Sequence, residues 1–173
     1  MTGLQPFASG ALLCLAIIGG MAQAADRRVS FLVGASVVNG CTVASDASGN
    51  WGDIALGTVA GVPGTVASGS LTAAGLAGIS IDCTPGADVT VIADQGLYAL
   101  SGARRLAPSA GADRIPYRLF VDGGTTPWTT QSVRLAFPVG AQRRLLPIRA
   151  EATLPGMVAA GRYTDTVRVT LSF

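Results

Sequence analysis

Residues 161–173 read Gly-Arg-Tyr-Thr-Asp-Thr-Val-Arg-Val-Thr-Leu-Ser-Phe, and their alternation constrains the fold more than any other stretch of the chain. Tyr163, Val167, Val169, Leu171 and Phe173 fall on one face. Arg162, Thr164, Thr166, Arg168, Thr170 and Ser172 fall on the other, the period of two that marks a half-buried strand. The sequence closes inside this strand and no hairpin follows. We therefore expect its far neighbour to come from earlier in the chain or from another molecule.

A second alternating stretch sits near the other end. Val29, Phe31, Val33, Ala35 and Val37 are spaced by two and run up to Asn39-Gly40-Cys41. An extended segment of this kind can be added as a strand to an open sheet edge. The pattern alone allows two arrangements: the stretches are the first and last strands of an ordinary sandwich, paired within one molecule, or they complement each other between molecules. Leu32 and Val38 are apolar on the polar face, so the pattern leaves the register open.

The first residues read as a targeting segment. Ala11 to Ile18 form a short apolar core, followed by Gly19-Gly20 and by Ala22-Gln23-Ala24, the small-x-small pattern that signal peptidase accepts. A signal peptide over residues 1–24, cleaved near Ala24, and export follow as expectations. The leader departs from the usual pattern in having no Lys or Arg before its apolar core. Cys14 follows Leu13, where a lipoprotein needs a small residue. The apolar run is broken by glycines and barely reaches the ~20 residues of a membrane span, which sets cleavage ahead of a retained anchor.

Without the leader about 150 residues remain, enough for one domain with a real core and too few for two. All twelve basic and ten acidic residues lie beyond the leader, so the net charge stays at +2, which argues against nucleic acid as a partner. Every basic residue is Arg, which reads as codon bias rather than a binding patch.

Two cysteines remain, Cys41 and Cys83, and a pair in an oxidising compartment reads first as a disulfide. No metal or cofactor site is expected. Two thiols in a chain with no His cannot complete a zinc site unless carboxylates contribute, and no ligand cluster is visible. Catalytic residues are absent from the pattern too: there is no His for base catalysis, no phosphate loop and no nucleophile elbow. Asp165 lies on the apolar face of the terminal stretch, where hydrogen bonding to a turn or backbone amide is the usual state of such a carboxylate. Trp51 and Trp128 are the residues a sugar would stack on, but a Trp in a small sandwich is more often core.

The body reads as strands throughout. After Cys41-Thr42-Val43 and a polar turn comes Asn50-Trp51-Gly52-Asp53-Ile54-Ala55-Leu56-Gly57, then an uncharged Gly/Ala/Ser/Thr-rich segment that is the least informative part of the chain. Ile79, Ile81 and Cys83 alternate with Ser80 and Asp82; Val89-Thr90-Val91-Ile92-Ala93 runs into Asp94-Gln95-Gly96. Further strands are expected at residues 115–121, 133–139 and 145–153, with Pro116, Pro138 and Pro147 at edges or bulges. Regular turn spacing points to an all-β antiparallel sandwich with Greek-key connections.

These residues resemble the spore coat U domain family, which includes the subunits of archaic, Csu-type chaperone-usher pili. The matching pieces are Asn39-Gly40-Cys41-Thr42-Val43, Trp51-Gly52 where relatives usually have Phe-Gly, Ile81-Asp82-Cys83-Thr84, Arg104-Arg105-Leu106, Ile115-Pro116-Tyr117-Arg118-Leu119-Phe120-Val121-Asp122 with Trp128 beyond, and Gly161-Arg162-Tyr163-Thr164-Asp165-Thr166-Val167 running to Phe173. The resemblance implies an incomplete immunoglobulin-like Greek-key sandwich over residues 41–173, completed by a donor strand. Residues 25–40 would be the donor segment, with Val29, Phe31, Val33, Ala35 and Val37 as its plugs. Val167, Val169, Leu171 and Phe173 would line the acceptor groove and meet the chaperone.

The partners implied are a periplasmic chaperone, an outer-membrane usher and neighbouring subunits, in the periplasm during assembly and then in a cell-surface fibre. The alternative is a self-contained secreted binding module or adhesin with its ligand site on the loops.

Overall fold

The computed structural model describes residues 30–46 and 49–173. Residues up to Ser36 form a unit apart from Val37–Phe173. Within the first unit, residues 30–36 belong to no strand or helix. The leader expected over residues 1–24 lies outside the described residues, as does Val29.

Val37–Phe173 is all-β, with no helix among the described residues. Its strands are β1 (Cys41–Val43), β2 (Asp53–Ile54), β3 (Val66–Thr72), β4 (Ile79–Cys83), β5 (Asp88–Ala93), β6 (Arg104–Pro108), β7 (Ile115–Val121), β8 (Val133–Ala136), β9 (Arg143–Leu146), β10 (Ile148–Thr153), β11 (Tyr163–Thr164) and β12 (Val169–Ser172). One layer is the six-stranded sheet β11-β6-β7-β10-β3-β2. The other comprises β12-β5-β8 and β1-β4-β9. Bonds from Phe137 N to Ala87 O (3.1 Å) and Cys83 N to Gln142 O (2.8 Å) carry the ladder from one trio to the next. β4–β5 and β8–β9 thus form one bent ribbon, whose other long side holds both β1 and β12.

Inward positions at spacing two make the core. Val89, Val91 and Ala93 of β5 face Ile115, Tyr117 and Leu119 of β7 and Ile148, Ala150 and Ala152 of β10 in a single cluster. Trp128, Phe137, Leu135 and Leu146 fill it. The chain changes layer after β1, β3, β5, β7, β9 and β11, the repeated crossing of a Greek-key sandwich. Cys41 and Cys83 are joined by a disulfide at directly paired positions of β1 and β4. Closing that loop contributes ~4 kcal/mol in the chain-entropy model.

Three expectations need correction. Residues 145–153 are not one strand: Pro147 divides them into β9 in one layer and β10 in the other. Of residues 133–139, β8 takes up only Val133–Ala136; Phe137 still bonds to Ala87, and at Pro138 the run ends, with Val139 exposed. Residues 161–173 divide into β11, paired with β6, and β12, paired with β5. Pro116, by contrast, sits where a proline is tolerated, since the ladder from β7 to β10 stops at Tyr117 and Pro116 faces only Arg105.

Candidate functional site

The terminal segment leaves the six-stranded sheet at Thr164 and joins the other layer at Val169, so it lines one side of the sandwich where the layers meet. Val167, Val169 and Leu171 pack against the core yet stay half-exposed. Phe173 lies beyond β12 and is 61% exposed. Among the described residues β12 has β5 as its one neighbour. Its other edge therefore carries backbone N–H and C=O groups without a ladder partner, beside an apolar face that is covered on one side only.

Two carboxylates hold this segment at its crossing. Asp165 Oδ1 accepts from the backbone N–H of Leu97 (2.9 Å), Tyr98 (3.3 Å) and Thr166 (2.8 Å), and its Oδ2 accepts from the Tyr117 hydroxyl (2.7 Å). Asp94 Oδ1 accepts from Gly96 N (2.9 Å) and Arg168 N (3.0 Å). Gly96 is required by space as well as by its φ of +83°: a Cβ there would lie 2.1 Å from Asp165 Oδ2. Behind the loop, the buried Arg104 guanidinium donates to the carbonyls of Asp94, Trp128 and Thr129.

The electrostatics follow from burial. Desolvation lowers the Arg104 pKa from its ordinary value, against the raising effect of Tyr117, Asp94 and Asp165 nearby. The Tyr117 phenol is pushed well above its ordinary value, first by burial and then by its bond to the Asp165 carboxylate. Both carboxylate oxygens of Asp165 are thus engaged as acceptors. The sequence placed it on the apolar face; what it missed was the reciprocal role of Asp94 and the burial of Arg104. A carboxylate at an apolar-face position and the neighbouring Asp94-Gln95-Gly96 turn were the available signals.

The remaining expected site residues fall as follows. Phe31, Val33, Ala35 and Val37 are exposed and belong to no strand, with Phe31 84% and Val33 80% exposed. Trp128 is buried, with its indole N–H on Gln131 O (2.8 Å), so it has no face for a ligand. Trp51 is half-buried against the core.

Residues 28–170 match the Spore Coat Protein U domain. None of the curated proteins matches the chain. Among solved structures, the chain is similar to the CsuC-CsuE chaperone-tip adhesion subunit pre-assembly complex from the archaic chaperone-usher Csu pili of Acinetobacter baumannii. The identity is 18% and the TM-score 0.51, over 80% of this chain and 40% of that one. A chaperone-tip adhesin complex of CFA/I fimbriae biogenesis matches with 13% identity and a TM-score of 0.47, over 76% of this chain and 41% of that one. The chain thus spans about two fifths of the length of the structures it matches. The first likeness is one of fold, an immunoglobulin-like sandwich.

Proposed function

This chain belongs to the Spore Coat Protein U domain family, and from that premise we propose that it is a structural subunit of a chaperone-usher pilus or coat fibre that polymerises by donor-strand exchange. The observation that carries the reading is the one-sided pairing of β12 together with the half-exposed apolar face of Val167, Val169 and Leu171. A strand added there would take up the open N–H and C=O groups and cover that face with its own side chains.

Residues 25–40 are the donor in this reading, with Val29, Phe31, Val33, Ala35 and Val37 as the inserted side chains, and residues 41–173 are the acceptor. The exposure of Phe31, Val33 and Val37 supports it, because such an apolar row is unfavourable in water and calls for a partner. Donor and acceptor are different surfaces, so the contact is heterologous and grows a filament. A periplasmic chaperone covers the edge after export and an outer-membrane usher delivers the subunit to the cell surface. The CsuC-CsuE structure is a chaperone–subunit complex of this kind. A self-contained binding module finds little support in the tryptophans, since Trp128 is buried in the core and Trp51 is half-buried against it.

Deletion of residues 25–37 is the test. The variant should fold with its chaperone and accept a donor, yet stop assembly because it cannot donate. Moving residues 25–37 behind Phe173 through a flexible linker should give a stable monomer, since the link replaces bimolecular association by an effective concentration of about mM. An unmodified chain that is monomeric and cooperatively folded without a partner, and that the deletion unfolds, overturns the reading.

A further inference from the structure

We propose that Asp94 and Asp165 form a two-carboxylate clasp that sets the register of β12 on β5 before any partner strand is added. The acceptor role of β12 rests on the reading above; the register does not.

The need for such a device comes from the alternation itself. Sliding an alternating strand by two residues along its neighbour restores every side chain to its original face. Val167, Val169 and Leu171 are all half-buried aliphatic side chains, and a slide by two in either direction puts Val167 or Leu171 where Val169 stood. Apolar packing therefore discriminates poorly between the observed register, Val169 opposite Ala93 and Leu171 opposite Val91, and its two nearest alternatives.

The carboxylates discriminate strongly, because they are unlike anything two residues away. The loop after β5 and the terminal segment grip each other reciprocally: Asp165 binds the loop's Leu97 and Tyr98 amides, and Asp94 binds the segment's Arg168 amide. Asp94 N–H returns a bond to Arg168 O (2.9 Å) and Leu97 N–H one to Thr166 O (3.1 Å). A slide by two would carry Asp165 about 7 Å along the strand. Tyr163 or Val167 would then meet amides that need an acceptor, and the Tyr117 hydroxyl would lose its carboxylate.

The clasp is anchored from both layers. Tyr117 belongs to β7 of the six-stranded sheet, and Arg104 of β6 holds the Asp94 carbonyl from behind while also binding Trp128 and Thr129. The open edge is thereby held in a single register by groups that do not depend on what later occupies it. Asp94 and Asp165 are positioning residues.

Register is read directly by disulfide trapping in the exported full chain. Thr170 and Ile92 lie opposite each other, both exposed. The pair Thr170→Cys with Ile92→Cys should crosslink in the otherwise unmodified chain, whereas Ser172→Cys or Arg168→Cys with Ile92→Cys should not. In Asp165→Asn and in Asp94→Asn, the 172/92 or 168/92 crosslinks should appear. Capture of a synthetic peptide of residues 28–39 should fall about tenfold in the same variants, as the edge spends about nine-tenths of its time out of register. Tyr117→Phe removes one donor and leaves both carboxylates, so it provides a milder readout should Asp165→Asn fail to accumulate; it too should show the slipped crosslink, at a lower yield. Crosslinking confined to 170/92 in the variants, with peptide capture unchanged, overturns the clasp. An unmodified chain that captures no peptide, while its carboxylate variants still slip, sinks strand donation and supports the clasp.

Discussion

The two alternating stretches have the same pattern and opposite fates. Residues 30–37 carry Phe31, Val33, Ala35 and Val37 at spacing two, yet they form no strand and are exposed throughout. Residues 163–172 have the same spacing, but they are bound along one side, with Val167, Val169 and Leu171 half-covered. Hydrophobicity does not separate them, since the exposed stretch is the more apolar of the two. Among the described residues the terminal stretch has what the other does not: a neighbour with matching N–H and C=O groups, and the carboxylates of Asp94 and Asp165 to hold it there. Alternation makes a segment able to be a strand; backbone partners make it one.

The largest expected effect breaks the docked stretch. Leu171→Asp puts a carboxylate on the core-facing side of β12, at a cost of several kcal/mol if it is to stay charged there. That is a large part of the stability of a domain this size. The exported variant should fail to accumulate as soluble protein. Normal levels of a monodisperse variant would mean that β12 contributes little to the fold.

A smaller effect sharpens the role of the clasp. Tyr117→Phe removes the hydroxyl donor to Asp165 and should lower stability by about 1.5 kcal/mol at neutral pH. The pH dependence has a definite sign. The folded Tyr117 pKa is raised by burial and by Asp165, so the folded state keeps the proton that the unfolded chain releases above about pH 10. The stabilisation is fully present below that pH and is lost as pH rises beyond it. Denaturation midpoints should fall above about pH 10 in the unmodified chain and fall less steeply in Tyr117→Phe. Parallel curves for the two proteins would assign the alkaline loss to other groups.

The smallest effect concerns the exposed stretch. Phe31→Asp should change the unfolding free energy of the 37–173 unit by no more than about 0.5 kcal/mol, as expected for a side chain in water. Polymer yield should nevertheless drop sharply if this residue is inserted into another subunit. A shift in the thermal midpoint comparable to that of a core substitution would erase the contrast between the two stretches.

Much of the sandwich was readable from residues. Val89, Val91 and Ala93 alternate in the chain and alternate in β5, and the region around Ile115, Tyr117 and Leu119 became β7 over the expected bounds. β3 was not readable, although it lies inside the six-stranded sheet between β10 and β2. Its inward positions are Ala67, Gly69 and Leu71, and the first two carry almost no hydrophobic signal. Gly69 is small for a reason the chain does not display, since a Cβ there would lie 2.1 Å from Ala55 O.

The sequence by itself determined the faces: which side chains of residues 163–171 turn inward, that turns recur at short intervals, and that Cys41 and Cys83 are the pair available for bonding. These follow from local stereochemistry, since successive strand side chains point to opposite sides whatever the partner. The tertiary structure decided the partners and the register. Pro147 became a change of layer, residues 161–173 were shared between two sheets, and the Arg104 charge was buried among three carbonyls. Asp165 found its donors 48 residues or more away at Tyr117, Leu97 and Tyr98. A period of two is unchanged by a slide of two, so only groups distant in the chain, brought together by folding, distinguish one register from the next.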